Sequence, residues 1–179
     1  MGFFSPAPYH ILSYGILLGA TVFHTFIGGI ISFRVLPRPQ FGALMAKIFP
    51  VYFAMQAGLP AALALTYPGS RNPFGVAGGL AGVLDPSNRW TVLAPLASAL
   101  LCAVGNLVAV GPQTTRVMEE RRQQERKDGK KAYDAPPHSR EMQVLNRRFS
   151  MLHGISSLLN LGTLVATVVY GVTLSSRLS

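Results

Sequence analysis

The chain has 179 residues, 16 Lys/Arg against 7 Asp/Glu, and 49% hydrophobic residues. So basic a balance in a soluble protein would suggest nucleic acid. Here Tyr133 is the only Phe, Trp or Tyr interleaved with the basic residues of the longer basic segment, 116–148, and a nucleic-acid partner is not expected. One cysteine, Cys102, excludes a disulfide within the chain.

Four apolar runs, 9–33, 48–66, 90–110 and 150–174, organise everything else. Each approaches the ~20 residues a helix needs to cross a bilayer. The expected fold is all-α: one domain over 1–179, an integral membrane four-helix bundle. A charged helical loop, 111–149, should join the third and fourth spans. Thirteen of the 16 Lys/Arg lie in the two loops joining spans one to two and three to four. By the positive-inside rule both of those loops are expected to be cytosolic and both termini non-cytosolic. No basic region precedes the first run, so a cleaved signal peptide is not expected.

The first span starts after Pro6 and Pro8 and stops at Arg34, with Pro37 and Pro39 marking a turn. Gly15 and Gly19 form a small-xxx-small pair of the kind that lets membrane helices approach closely. The second span carries Pro50 in its first turn and Pro60 inside, where a ring removes a donor and should kink the helix. Residues 74–84, between the second and third spans, are apolar and glycine-rich but too few to cross. They are expected to lie in the interface, with a re-entrant loop as the alternative. After Pro112 a polar helix is expected, capped by Thr114 or Thr115, with Arg121 and Glu125 paired at i, i+4. Asp128-Gly129 should end it, and a second polar helix, 139–148, should feed the last span.

Polar side chains inside spans are costly and usually face the bundle interior. On the fourth span His153, Ser156, Asn160, Thr163 and Thr167 recur at steps of three and four, which is one helical stripe. The first span offers His10, Tyr14, Thr21, His24 and Gly28, the second Gln56 and the third Asn106. Either these groups hydrogen-bond helix to helix as packing glue, or they form a binding site or path for a small solute. His24 and His153 sit at different depths, which argues against a shared haem, and no cofactor or metal is expected. Cys102 in an apolar run has no base beside it, so catalysis is not expected.

Several motifs in order resemble the transmembrane protein 205 family. They are His10 opening the first span, FRVLPRPQFG at 33–42, KIFPVYF at 47–53, GPQTTRVM at 111–118 and HGISSLLNLG at 153–162. The family commonly reads Glu-Pro-Arg-Thr-Thr where positions 111–115 read Gly-Pro-Gln-Thr-Thr, so the acid and the arginine are missing. His24 lies outside the shared motifs. The resemblance implies a four-helix membrane protein without established enzymatic activity. The family's namesake is associated with tolerance of platinum drugs, which implies efflux or vesicle handling of small solutes. The motifs also gather at one membrane boundary, at Arg34, Pro37, Arg38, Lys47, Pro50, Thr114, Thr115 and His153. A site or a lipid-contact surface is expected there, against a background of ordinary helix-end chemistry. Partners expected from the sequence are the bilayer, its anionic headgroups near Lys130, Lys131, Arg147 and Arg148, and a second copy of the chain. Two functions stay open: handling or export of a small solute, or a structural or adaptor role through helix packing and loop contacts.

Overall fold

The computed structural model of the chain describes residues 5–69 and 77–176, and these contain helices but no strand. Arg71, Arg177 and the first three residues of the glycine-rich 74–84 segment lie outside the described residues. Four helices are long and apolar enough to span a membrane: α1 (Pro6–Val35), α2 (Arg38–Leu65), α4 (Pro86–Asp128) and α5 (Arg140–Ser175). A short α3 (Gly79–Val83) precedes α4. The protein is an all-α membrane bundle.

The main packing pairs are α1 with α2, α2 with α4, α4 with α5, and α5 with α1. The helices thus form a square in which α1 faces α4 and α2 faces α5 across the diagonals. Outward positions carry large apolar side chains such as Leu12, Ile16, Val51, Leu101, Leu158 and Val172, all exposed. In water such a surface would aggregate; in a bilayer it meets its own kind.

At the pole bearing α3, Leu17, Leu63, Tyr67, Val83, Val92, Leu96, Tyr170 and Leu174 form one buried cluster. Val83 brings α3 into it, and Asn88 Nδ2 ties the segment down by donating to the Gly82 carbonyl at 2.7 Å. The described part of the glycine-rich segment therefore caps the bundle end. A second cluster, Val110, Val117 and Leu152, holds the α4–α5 seam towards the other pole.

Beyond that seam α4 and α5 run on as a charged antiparallel hairpin. No separate helix starts after Pro112, because α4 is already helical there. Thr114 and Thr115 therefore cap nothing; their hydroxyls donate back to the carbonyls of Val110 and Gly111. Gly129 (φ +63°) ends α4 in the left-handed conformation that a side chain would strain, and Ser139 caps α5 by accepting from Met142 N–H at 3.2 Å. Ser139 Oγ also donates to Asp128 Oδ2 at 2.6 Å, linking the two helix ends. The expected Arg121–Glu125 ion pair does not form. Arg121 instead lies over the Phe149 ring, 4.5 Å from its centre, and donates to Asn146 Oδ1 at 2.9 Å. Glu125 accepts from Ala132 N–H across the turn. Burial against α5 draws the arginine inward and lowers its pKa from the usual value, with the Glu125 charge opposing that fall.

Three stretches have widened, π-helical turns: His24–Gly28 in α1, and Arg89–Leu93 and Gly105–Val110 in α4. The two in α4 are explained by proline. Pro95 and Pro112 each lack an N–H, and each ring would clash with the carbonyl four residues earlier, at Thr91 and Val108. Both carbonyls lie in the widened turns, which move them aside. At Gly111 this leaves no room for a side chain, since a Cβ would stand 2.7 Å from the Asn106 carbonyl oxygen. In α2 the helix runs through Pro50 and Pro60 without an α-helical break.

Candidate functional site

The inward face of α1 is set by His10, Leu17 and Thr21, all buried. That face leaves Gly15 and Gly19 pointing outward, with nothing within 4 Å of where a Cβ would be. The glycine pair therefore packs no helix within the bundle and lies on its outer face. Close helix approach is made by other glycines: between α4 and α5, where a Cβ on Gly162 would lie 3.0 Å from Cys102 Sγ and one on Gly105 3.5 Å from Leu159, and between α5 and α1, where a Cβ on Gly171 would overlap the Tyr14 side chain.

Gln56 is the centre of a polar layer at mid-depth. It is fully buried, and its amide nitrogen lies 3.1 Å from Thr21 Oγ1, 2.9 Å from the Tyr52 hydroxyl and 2.9 Å from Asn160 Oδ1. Tyr52 and Gln56 are four residues apart on α2 and so share one face. The Tyr52 hydroxyl donates to Asn160 Oδ1 at 2.7 Å, and Asn160 Nδ2 donates to Thr25 Oγ1 at 2.7 Å. Helices α1, α2 and α5 are thereby joined by side chains that lipid could not satisfy.

Asn106 adds α4 to this region. It is fully buried in the widened turn, and its Nδ2 donates to the Ser156 carbonyl of α5 at 3.2 Å. Two acceptors stay unpaired in this part of the bundle, Gln56 Oε1 and Asn106 Oδ1, both inaccessible. An unmatched buried carbonyl costs about 1–3 kcal/mol, so each is a place where a hydrogen-bond donor would be welcome.

The remaining sequence-predicted residues divide plainly. His24 borders the layer, its ring 4.5 Å from Tyr52 and 5.2 Å from Phe49. Ser156 takes part through its backbone only. Thr163 and Thr167 direct their hydroxyls to carbonyls of their own helix, at Leu159 and Thr163. His153 is exposed, stacked on Phe149 one turn away, and stands apart from the polar layer. The boundary residues Arg34, Pro37 and Arg38 lie around the α1–α2 turn, with the Arg38 guanidinium 3.5 Å above the Phe33 ring, whereas Lys47 and Pro50 lie about 14 and 18 Å further along α2, which is already helical from Arg38. Gly42 of α2 meets Met118 of α4, 3.5 Å from the position of a Cβ, which places Thr114 and Thr115 at the same end of the bundle.

Sequence reasoning passed over Thr25 and Tyr52, and it missed a second polar cluster at the α3 pole. There His10, 1% exposed, has Nε2 2.7 Å from the Tyr170 hydroxyl and Nδ1 3.1 Å from Thr66 Oγ1. Thr66 spends its own proton on the Ala62 carbonyl at 2.7 Å, so it accepts from His10. In the neutral ring the proton is then on Nδ1 and Nε2 accepts from Tyr170. Tyr67 and Tyr170 both meet the imidazole edge to face.

Four apolar spans crossed by buried polar contacts at two depths define a polytopic integral membrane protein. The chain belongs to the family described as domain of unknown function DUF4149, whose profile matches residues 12–123. That segment includes Thr21, Thr25, Tyr52, Gln56 and Asn106, and stops before Asn160. A relative is xanthocillin biosynthesis cluster protein D of Aspergillus fumigatus, 33% identical over 171 residues, which are 96% of this chain and 90% of that protein. No solved structure matches the chain.

Proposed function

We propose that the protein is a non-enzymatic membrane carrier that binds a small polar solute at the mid-depth layer of Thr21, Thr25, Tyr52, Gln56, Asn106 and Asn160. The observation that carries this reading is the pair of inaccessible, unpaired carbonyls, Gln56 Oε1 and Asn106 Oδ1, beside a network that is otherwise paired. Amides and hydroxyls without a formal charge suit an uncharged solute or one that donates hydrogen bonds. The motif resemblance to the transmembrane protein 205 family supports solute handling. So does a relative named for a biosynthesis cluster, where small molecules are made. The excess of Lys and Arg on the α4–α5 hairpin and the α1–α2 turn supports a cytosolic orientation for that pole.

The test is native mass spectrometry of protein extracted gently from its own membrane. A stoichiometric small molecule lost on Gln56→Leu or Asn160→Leu is the expected result. Protein with no bound solute, in wild type and variants alike, refutes the reading.

A structural or adaptor role is the second reading. It is favoured by the hairpin, whose turn is braced by Glu125, Asp128, Ser139 and Asn146 well away from the spans. On that reading the polar layer sets stability alone, and partners are lost when the hairpin surface is changed.

A further inference from the structure

A groove of about 570 Å³ runs along the outer face of α4 and α5, independent of the polar layer. On α4 it is lined by Trp90, Ala94 and Ser98, successive turns of one face; on α5, by Leu158, Gly162 and Val169 among others. Small side chains make the groove. It lies against the close contact between Cys102 and Gly162, which holds the two helices together along its floor. Its lining opens onto the apolar surface that meets the bilayer, with Trp90 76% exposed and Leu158 70%.

The head of the groove differs chemically from its length. Trp90 stands at the start of the apolar section of α4, where tryptophan marks the headgroup level. The Arg89 guanidinium lies over its ring, 5.3 Å from the centre. Arg89 is exposed and makes no ion pair among the described residues. Asp85, the acid nearest in sequence, is occupied locally: it accepts from the Ser87 N–H at 2.8 Å and the Ser87 hydroxyl at 2.5 Å. These bonds hold its carboxyl below the usual range.

We infer that this groove is a binding site for one membrane glycerophospholipid, with the phosphate on Arg89 and an acyl chain lying between α4 and α5. The two features have separate tasks. Lipid tails are as apolar as the groove wall, so burial alone selects nothing and the chain gains only close packing. Selection comes from Arg89, whose planar fork of donors matches phosphate oxygens. From Val169 to Leu158 the α5 wall is about 16 Å long at 1.5 Å per residue, which accommodates most of an extended acyl chain.

The chain has a single tryptophan, so Trp90 fluorescence reports occupancy directly. The full-length protein in phosphatidylcholine nanodiscs is titrated with acyl-brominated phosphatidylcholine or with acyl-brominated diacylglycerol, which lacks the phosphate. Wild type should be quenched at several-fold lower mole fraction by the phospholipid. Arg89→Gln should bring the two curves together. Ser98→Phe fills the groove and should reduce phospholipid quenching to the same shared curve. Leu101→Phe, on the exposed face of α4 outside the groove, should keep the wild-type difference. Coincident curves in wild type overturn the inference, as does an unchanged Ser98→Phe curve or the same loss in Leu101→Phe. Quenching that disappears as protein concentration rises also overturns it, because a second copy then occupies the groove. Helical circular dichroism checks the folding of each variant; if Ser98→Phe fails to fold, the Arg89→Gln comparison decides.

Discussion

Tyr52 and Asn160 meet across the diagonal of the bundle, hydroxyl to amide carbonyl at 2.7 Å. Their helices, α2 and α5, pack mainly against α1 and α4 rather than against each other. One short bond, reinforced by Gln56 and relayed to Thr25, thus fixes the spacing of two spans that apolar contact leaves apart.

Replacing Asn160 by leucine removes the partner of Tyr52, Gln56 and Thr25 at once. Interhelical hydrogen bonds in membranes are worth about 0.6–2 kcal/mol, and the groups left behind add a desolvation cost. The variant should lose about 1–3 kcal/mol in a reversible unfolding assay in mixed micelles. A change below about 0.5 kcal/mol, the scale of a neutral surface substitution, would remove the network from the account of stability.

His10 and Tyr170 form the corresponding link at the α3 pole. A double-mutant cycle with His10→Phe and Tyr170→Phe should give a coupling of about 0.6–1.7 kcal/mol. His153→Phe, at an exposed position, should change stability by less than about 0.5 kcal/mol. Equal effects of His10→Phe and His153→Phe would contradict the structure.

Glycine substitutions separate two kinds of site. At Gly111 the added Cβ meets the Asn106 carbonyl, so Gly111→Ala should force the widened turn to rearrange and cost about 1–3 kcal/mol. At Gly15 and Gly19 nothing is met, and alanine should be neutral or stabilising by up to about 1 kcal/mol each. If a second copy packs on that face, the double alanine variant will lose the oligomer in native mass spectrometry while the monomer stays folded.

Ser139→Ala removes the cap of α5 and the bond to Asp128 together. Losing such a cap costs about 1 kcal/mol, and here the effect should stay local. Hydrogen exchange should quicken in the first turn of α5 and at the 129–139 connection, leaving the spans protected.

Orientation has a direct readout. Cysteine placed at exposed Tyr133, in the hairpin turn, should react with an impermeant maleimide supplied on the cytosolic side of the protein's membrane; cysteine at exposed Ser87 should react only with reagent on the opposite side. The opposite pattern would invert the topology read from charge.

The spans were legible because an apolar run of bilayer length seldom folds into anything but a membrane helix. Gln56, Asn106 and Asn160 were legible too, as amides inside apolar runs are rarely idle. Their geometry was not, because Tyr52 and Thr25 blend into the composition of any membrane helix, and Asn160 lies 108 and 135 positions from them. Tyr170 was hidden for the same reason, 160 positions from His10. The widened turns left only an indirect trace, the prolines that follow them in α4. The glycine motif names two small residues without saying which way they face; burial of His10, Leu17 and Thr21 turns them to the outside of the bundle.

Helix α4 runs 43 residues from Pro86 to Asp128, about 65 Å at the usual rise. It is a lever arm anchored in the bilayer. Tilting it by about 10° around its midpoint would carry each end through roughly 6 Å. Its two widened turns lie at the two ends of the apolar section, Arg89–Leu93 towards the α3 pole and Gly105–Val110 towards the hairpin. A pull on the hairpin tip would first reach the turn that holds Asn106, whose amide is tied to the Ser156 carbonyl of α5.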